Sequence, residues 1–375
     1  MPQNLIYIVT DTTVANKFGL EQIKYLSKNN FNIHLICGEG SLDLEMGDVC
    51  KTVTQIKSLH RSIKIFDDLK TLFIIFNIIH SIKPICMVYS TPKASLLGAI
   101  LSYFLRIDNR IYQIWGARWE TLSGFSLFIV KLMDKITIKL STSVIGVSDS
   151  IANLYKSITK KEILVLGRGS AVGVDSNIFS IQRVHTQCFK LGYAGRIAQD
   201  KGISDLLLIY RMLKKFNSKI TLDIIGDVDA SDPVDSSVMK YIQSDSGINW
   251  VRHCSRFELA NHMKNWTLQI LLSQREGLGN VIIEAGACGI PTVCWDVTGV
   301  RDAIPDYLKE NLIQNKRIDL IYLRIKEYIE NPFTESEASE LSSWTIQNFD
   351  KKIVLNNFVN HVKNEIFSER DRSYK

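Results

Sequence analysis

Two carboxylates and two cations stand out as residues able to do chemistry. Glu276 and Glu284 lie eight positions apart in SQREGLGNVIIEAGACGIPTVCWDVTGVRD (273–302), and Arg196 and Lys201 lie five apart in GRIAQDKG (195–202). Carboxylates accept hydrogen bonds from sugar hydroxyls, and paired cations neutralise a departing diphosphate. An apolar run at 268–272 reads as a buried strand, and Gly277 and Gly279 bracket a turn where the backbone must approach something closely. Asn280 is placed to cap the helix that follows, whose N-terminal N–H groups and partial positive charge would welcome an anion. On this reading Glu276 sits just before the helix and Glu284 about two turns along it, so that both line one crevice. Gly289 and Pro291 end the helix and return the chain to a strand.

Positioning these groups requires alternating strands and helices. A strand at 4–10, a loop at 11–18, and a helix from Gly19 with Leu20, Ile23 and Leu26 inward make a first βα unit. Strands at 32–37, 49–54 and 85–89, a helix at 66–82, and a strand at 144–148 before a helix capped by Ser148 or Asp149 extend it into a doubly wound parallel sheet. A second alternation begins near Phe189 with a strand ending at Gly195. It continues through a helix whose inner face carries Ile203, Leu206, Leu207, Tyr210 and Leu213, and through strands at 220–225 and 248–252. The expected domains are 1–176 and 177–349, with a final helix from 350 to 375 bearing Ile353, Phe358 and Val362.

EGLGNVIIEAGACGIPTV (276–293) resembles the donor-site signature of glycosyltransferase family 4, bacterial surface-polysaccharide type (O-antigen, lipopolysaccharide, capsule). The resemblance covers nearly the whole chain. It implies the α/β GT-B fold, two Rossmann-like doubly wound domains facing a central cleft, with acceptor binding in the first domain, donor binding in the second, and the last helix crossing back onto the first. It implies a retaining hexosyl transfer from a nucleotide-diphosphate sugar to an undecaprenyl-diphosphate-linked glycan. The implied catalytic residues are Arg196 and Lys201 on the diphosphate and Glu276 on the donor sugar, with Glu284 on the ribose. Gly19, Gly195, Gly277, Leu278, Gly279 and Asn280 complete the implied donor site. Two other readings stay open: a nucleotide-sugar-binding subunit without catalysis, and a nucleotide-sugar epimerase on the same fold.

Several positions depart from the family pattern or carry two readings. Only Gly19 stands where relatives often have a glycine pair, and it serves either close backbone approach or the start of a helix. Trp115 stands where many relatives have histidine, and it either stacks on a sugar ring or belongs to the core. Arg118 and Glu120 form either a surface ion pair or an acceptor contact. GRGSAVGVD (167–175) is similar to the family's inter-domain segment and reads as a hinge. Asp227 and Asp229 flank one residue, as metal-holding aspartates do, but an ordinary acidic loop fits as well. Because Arg196 and Lys201 supply the charge, no metal and no cofactor are expected.

Composition narrows the class further. The 375 residues, 46% hydrophobic and 22% charged, fit an ordinary globular protein of two or three domains. A net charge of +6 favours anionic partners, without by itself separating nucleic acid from a nucleotide diphosphate or an acidic membrane face. The site chemistry points to the latter two, and no nucleic-acid partner is expected. Seven scattered cysteines and no secretory signal predict a reduced, cytoplasmic protein, and the apolar run at 72–79 is too short to span a bilayer. In FSLFIVKLMDKITIKL (125–140), Lys131, Lys135 and Lys139 form one helical stripe, and Phe128, Leu132 and Ile136 an adjacent apolar one. Such a helix either rests on the cytoplasmic face of the membrane or packs in the core with its lysines solvated.

Overall fold

A computed structural model describes residues 2–62, 64–182, 188–230 and 232–368. Two compact units make up the chain, Met1–Val172 with Lys352–Lys375, and Gly173–Lys351. Both boundaries fall within a few residues of those expected at 176/177 and 349/350.

The first unit holds a parallel sheet of seven strands: β1 (Gln3–Ile8), β2 (Phe31–Gly38), β3 (Thr52–Ile56), β4 (Cys86–Ser90), β5 (Asn109–Ile114), β6 (Ser143–Gly146) and β7 (Leu164–Val165), ordered β3-β2-β1-β4-β5-β6-β7. Helices cover both faces, so the strands read as continuous apolar runs rather than alternating ones. Ile6 and Ile8 of β1 join a cluster with Ile75 and Ile79 of the Ile65–Ile82 helix and with Val130 and Ile138 of the Gly124–Leu140 helix. Leu5 and Tyr7 face the other way, toward Leu20, Ile23 and Leu26 and toward Phe358, Val359, Val362 and Ile366 of the Lys351–Ser368 helix. Ile353 is exposed, so the inward stripe of that helix runs through Val354 and Leu355 instead.

Two expectations for this unit are corrected. The strand expected at 49–54 begins later: a short helix, Leu44–Val49, comes first and the strand starts at Thr52. The stretch 11–18 is not a loop either. Asp11 caps helical backbone from Thr12 onward, its carboxylate accepting from Val14 N, and the helical path runs through Ala15–Gly19 into Leu20–Lys28. Gly19 therefore lies inside a helical stretch rather than at the strand-to-helix turn.

In the second unit the strands are β8 (Lys190–Ala194), β9 (Thr221–Ile225), β10 (Ile248–Val251), β11 (Leu268–Leu271), β12 (Thr292–Trp295) and β13 (Leu312–Ile313), all parallel in the order β10-β9-β8-β11-β12-β13. Ile203, Leu206, Leu207, Tyr210 and Leu213 of the Ile203–Phe216 helix are all buried, and each such apolar side chain contributes roughly 1.5–3 kcal/mol of transfer free energy. In each unit the chain reverses direction across the sheet at one place, between β1 and β4 in the first and between β8 and β11 in the second. In open α/β sheets, ligands bind outside the carboxyl ends of the strands at that switch.

Candidate active site at the switch of the second sheet

The loops that leave β8 and β11 carry the chemistry-bearing residues. After β8 come Gly195 and Arg196, then a short turn, Gln199–Lys201, and the Ile203–Phe216 helix. Gly202 makes that turn possible: its φ is +68°, and a Cβ would stand 2.2 Å from the Leu272 carbonyl oxygen, which no side chain tolerates. After β11 come Arg275, Glu276 and the glycine turn into the Asn280–Ala287 helix. Gly279 (φ +83°) is the residue before that helix, and Asn280 is its first helical position. The expected Asn280 cap is thus corrected: the left-handed backbone that the turn needs is supplied by glycine, which leaves Asn280 helical.

Backbone contacts lock the loops together. Ile197 N–H donates to the Asp227 carbonyl at 2.9 Å and Asp229 N–H to the Ile197 carbonyl at 3.0 Å, joining the loops after β8 and β9. Gln274 N–H donates to the Asp200 carbonyl at 2.8 Å, joining those after β8 and β11. The Tyr193 hydroxyl donates to the Arg196 carbonyl at 2.7 Å, and burial pushes that phenol above its ordinary range, so it remains a donor at neutral pH.

Within this frame Lys201 Nζ lies 2.7 Å from Glu276 Oε1. Arg196 pairs with Asp229 and lies 3.7 Å from Asp200, and Arg275 approaches the same Asp200 at 3.6 Å. Glu284 is mostly buried and lies 3.0 Å from Arg256 Nη2, while the Arg256 guanidinium sits over the Phe179 ring at 5.3 Å. Lys201 and Glu276 thus meet across the switch, whereas Glu284 has a cation of its own. Leu278 points into the core, so it can offer a ligand its backbone but not its side chain.

Asp227 and Asp229 point to different partners. Asp227 takes Arg252 at 3.0 Å and His253 at 3.1 Å, and the Val228 N–H together with Arg252 holds its carboxyl below the usual carboxylate range. Asp229 takes Arg196. Each aspartate therefore already carries a protein cation.

The remaining candidates belong to the first unit. Trp115 is half-buried, its ring centroid 5.1 Å from that of Phe18 and its indole N–H 3.2 Å from Gln113 Oε1. That oxygen also accepts from Gln22, whose amide reaches the Ala171 carbonyl at 2.7 Å. Gly19 is buried in its helix, and a Cβ there would make only an ordinary 3.5 Å contact with Tyr7, so close backbone approach does not require a glycine. Arg118, exposed, and Glu120, half-buried, share the Arg118–Thr121 turn. Lys131 holds its ammonium 4.5 Å from the Trp119 ring centre, while Lys135 and Lys139 are exposed. The neighbouring stripe of Phe128, Leu132 and Ile136 is exposed too, and the helix packs in the core through Val130, Asp134, Thr137 and Ile138 instead.

Sequence reasoning missed Arg256, Asp200 and Arg275. Arg275 adjoins Glu276 and was available as a third cation. Arg256 carried no signal, because its partner lies 28 positions away on another element.

Comparison with known proteins gives the family and the fold. The family model for glycosyl transferases group 1 matches residues 175–343, and that for glycosyl transferase 4-like proteins matches residues 7–148. The capsular polysaccharide biosynthesis glycosyltransferase CapM of Staphylococcus aureus is 30% identical over 297 residues, covering 76% of each chain. Among solved structures, sucrose-phosphate synthase from Thermosynechococcus elongatus superposes with a TM-score of 0.79 at 13% identity, over 98% of this chain and 100% of that one. Anabaena Alr3699/HepE in complex with UDP-glucose gives 0.76 at 15% identity, over 96% and 99%. These two structures share the GT-B fold with this chain.

Proposed function

The chain belongs to glycosyltransferase family 4, and from that premise we propose that it moves a sugar, with retention of configuration, from a nucleotide-diphosphate sugar to a lipid-linked glycan in surface-polysaccharide assembly. The observation that carries this reading is the Lys201–Glu276 pair at 2.7 Å, a cation and a hydroxyl-accepting carboxylate from two loops meeting at the switch of the second sheet. Arg196 and Lys201 stabilise the charge that grows on the departing diphosphate, and Glu276 accepts from the sugar hydroxyls. Glu284 accepts from the ribose, with Arg256 holding its carboxylate. The bond from the anomeric carbon to the phosphate oxygen breaks, and the bond to the acceptor oxygen forms on the same face. The acceptor proton passes to the departing phosphate oxygen, so no carboxylate nucleophile is needed. Neutralisation by Arg196 and Lys201 makes the reaction independent of divalent metal. The acceptor is an undecaprenyl-diphosphate glycan reached from the cytoplasmic membrane face, where Lys131, Lys135 and Lys139 meet anionic headgroups.

The purified protein, incubated with a panel of nucleotide-diphosphate sugars with and without lipid-linked acceptor and with excess chelator, tests the whole reading. Transfer with retained anomeric configuration, unchanged by chelator, is expected. Binding without turnover on any acceptor would make the chain a non-catalytic subunit, and a changed donor sugar without transfer would make it an epimerase. Activity lost in chelator and restored by magnesium or manganese would return Asp227 and Asp229 to the site.

A further inference from the structure

The first unit carries a further membrane-suited surface besides the lysine stripe, on the Ile65–Ile82 helix. The Ile65–Ile82 helix buries Thr71, Ile75 and Ile79 against the sheet, one residue per turn on one face. Ile65, Phe66, Leu69, Phe73 and Phe76 point outward. Phe66 is 89% exposed, Phe73 68% and Leu69 58%. Isolated apolar residues on a surface are ordinary, but five along three turns of one helix form a contiguous patch that water does not favour. No described helix is long and apolar enough to cross a membrane, so this face is suited to lying on a bilayer rather than spanning it.

Charge argues for the same occupant. Lys64 and Lys70 are exposed beside the patch. The two acidic residues of the helix's first turn are half-buried and already engaged, Asp67 by His60 Nε2 at 3.0 Å and Asp68 by the Lys93 ammonium. Cations therefore border the phenylalanines. The Gly124–Leu140 helix repeats the pattern, with Phe125 and Phe128 exposed beside Lys135. Both helices follow strands of the parallel sheet, so both begin at its carboxyl edge, and Phe66, Leu69, Phe73, Phe125 and Phe128 lie in their first halves. The Pro92–Phe104 helix packs against both.

We propose that the outward face of the Ile65–Ile82 helix, flanked by the start of the Gly124–Leu140 helix, docks the protein on an anionic lipid bilayer. The phenylalanines enter the acyl boundary, and Lys64, Lys70 and Lys135 meet the headgroups. The helix layer over one face of the first sheet then lies on the membrane, where a lipid-linked substrate arrives. The inference takes its purpose, though not its evidence, from the proposed acceptor. A second copy of the chain is the other candidate occupant, but a twofold pair built on this face would bring its own cations together.

Co-sedimentation with vesicles of phosphatidylglycerol and phosphatidylcholine, set beside vesicles of phosphatidylcholine alone, is the experiment. Binding is expected to the anionic vesicles, and Phe66→Ser with Phe73→Ser should reduce it on the order of tenfold or more. Leu323→Ser, an exposed apolar position in the other unit, should leave it unchanged. Equal thermal midpoints for parent and variants guard against misfolding. Parent protein that ignores anionic vesicles, binding unaltered by the double variant, or a concentration-dependent dimer that the double variant abolishes would each overturn the proposal. Transfer to a water-soluble acceptor analogue is read in parallel. Its loss in the parent counts against the proposed function, and its persistence in a protein that ignores vesicles counts against the docking surface alone.

Discussion

Two sheets of the same winding have been dressed for different tasks. In the second unit the switch is ringed by cations and carboxylates that pair with one another: Lys201 with Glu276, Arg196 with Asp229, Arg256 with Glu284. In the first unit a helix face presents phenylalanines to solvent between bordering lysines, and the buried carboxylate of Asp134 is held by the hydroxyls of Tyr112 and Tyr155 at 3.1 and 2.6 Å. The winding sets where a site can be, and the residues after each strand set what it can take. Mutual ion pairs hold the cations near the switch, and on the proposed function a diphosphate would exchange with those carboxylates to reach them. An apolar face has no such internal partner and calls for an external one.

The largest effect that tests this contrast is loss of charge at the second switch. Lys201→Ala and Arg196→Ala should each lower turnover roughly 10²- to 10³-fold, about 2.7–4 kcal/mol, as removal of a charge-stabilising donor does. Stability should change little, because both pairs are partly exposed and such pairs contribute about 0–1 kcal/mol. Steady-state rates and thermal midpoints on the same preparations check both halves. Parent rates in both variants would remove these cations from the chemistry.

Next comes the buried carboxylate of the first unit. Burial pushes Asp134 up to about 6, against the pull of the two hydroxyls that donate to it. Because the folded value lies above the unfolded one, the folded state holds the proton more tightly. The group's contribution to stability is full below the unfolded value and is lost as pH rises to about 6. Two pH units of offset correspond to about 3 kcal/mol. Asp134→Asn keeps the size and removes the titration, so denaturant unfolding at pH 4 and pH 7 should show a smaller fall in the variant than in the parent. Parallel falls would mean that Asp134 titrates alike in both states.

Much of this architecture is legible from residues alone, and the failures have physical causes. Apolar runs bounded by glycine and proline mark the parallel strands because burial on both faces leaves no alternation to misread. The 203–216 helix and its inward stripe follow from period and from the glycine that precedes it. Gly19 misled because glycine is read as punctuation, whereas here Asp11 starts the helical stretch and the glycine merely fits against Tyr7. Asn280 misled because a preferred cap stood one place beyond a glycine that had to be left-handed. In the site, Arg196, Lys201 and Glu276 are legible from local spacing. Arg256 is not, since its contact with Glu284 is made by the fold and not by the chain. The phenylalanine face of the Ile65–Ile82 helix escaped for a related reason: apolar residues stand on more than one side of it, so the pattern does not say which side is covered.

The smallest effect concerns that last pair and shows whether the ion pairs of the second unit rival the ligand or prepare for it. Glu284→Ala should weaken binding of the free nucleotide by roughly 1.5–3 kcal/mol, since ribose hydroxyls lose an ionised acceptor. Arg256 touches Glu284 through one guanidinium nitrogen at 3.0 Å, with its guanidinium over the Phe179 ring. If it orients the carboxylate, Arg256→Ala should weaken binding by less than Glu284→Ala does, and Arg256→Lys should restore little, because an ammonium lacks the planar fork. If it competes for the carboxylate, removing it should tighten binding. Calorimetric titration of a nucleoside diphosphate into the parent and each single variant, closed with the double variant, separates the two. Orientation predicts that Arg256→Ala costs almost nothing once Glu284 is gone, and an equal cost in both backgrounds would show that Arg256 acts elsewhere than through Glu284.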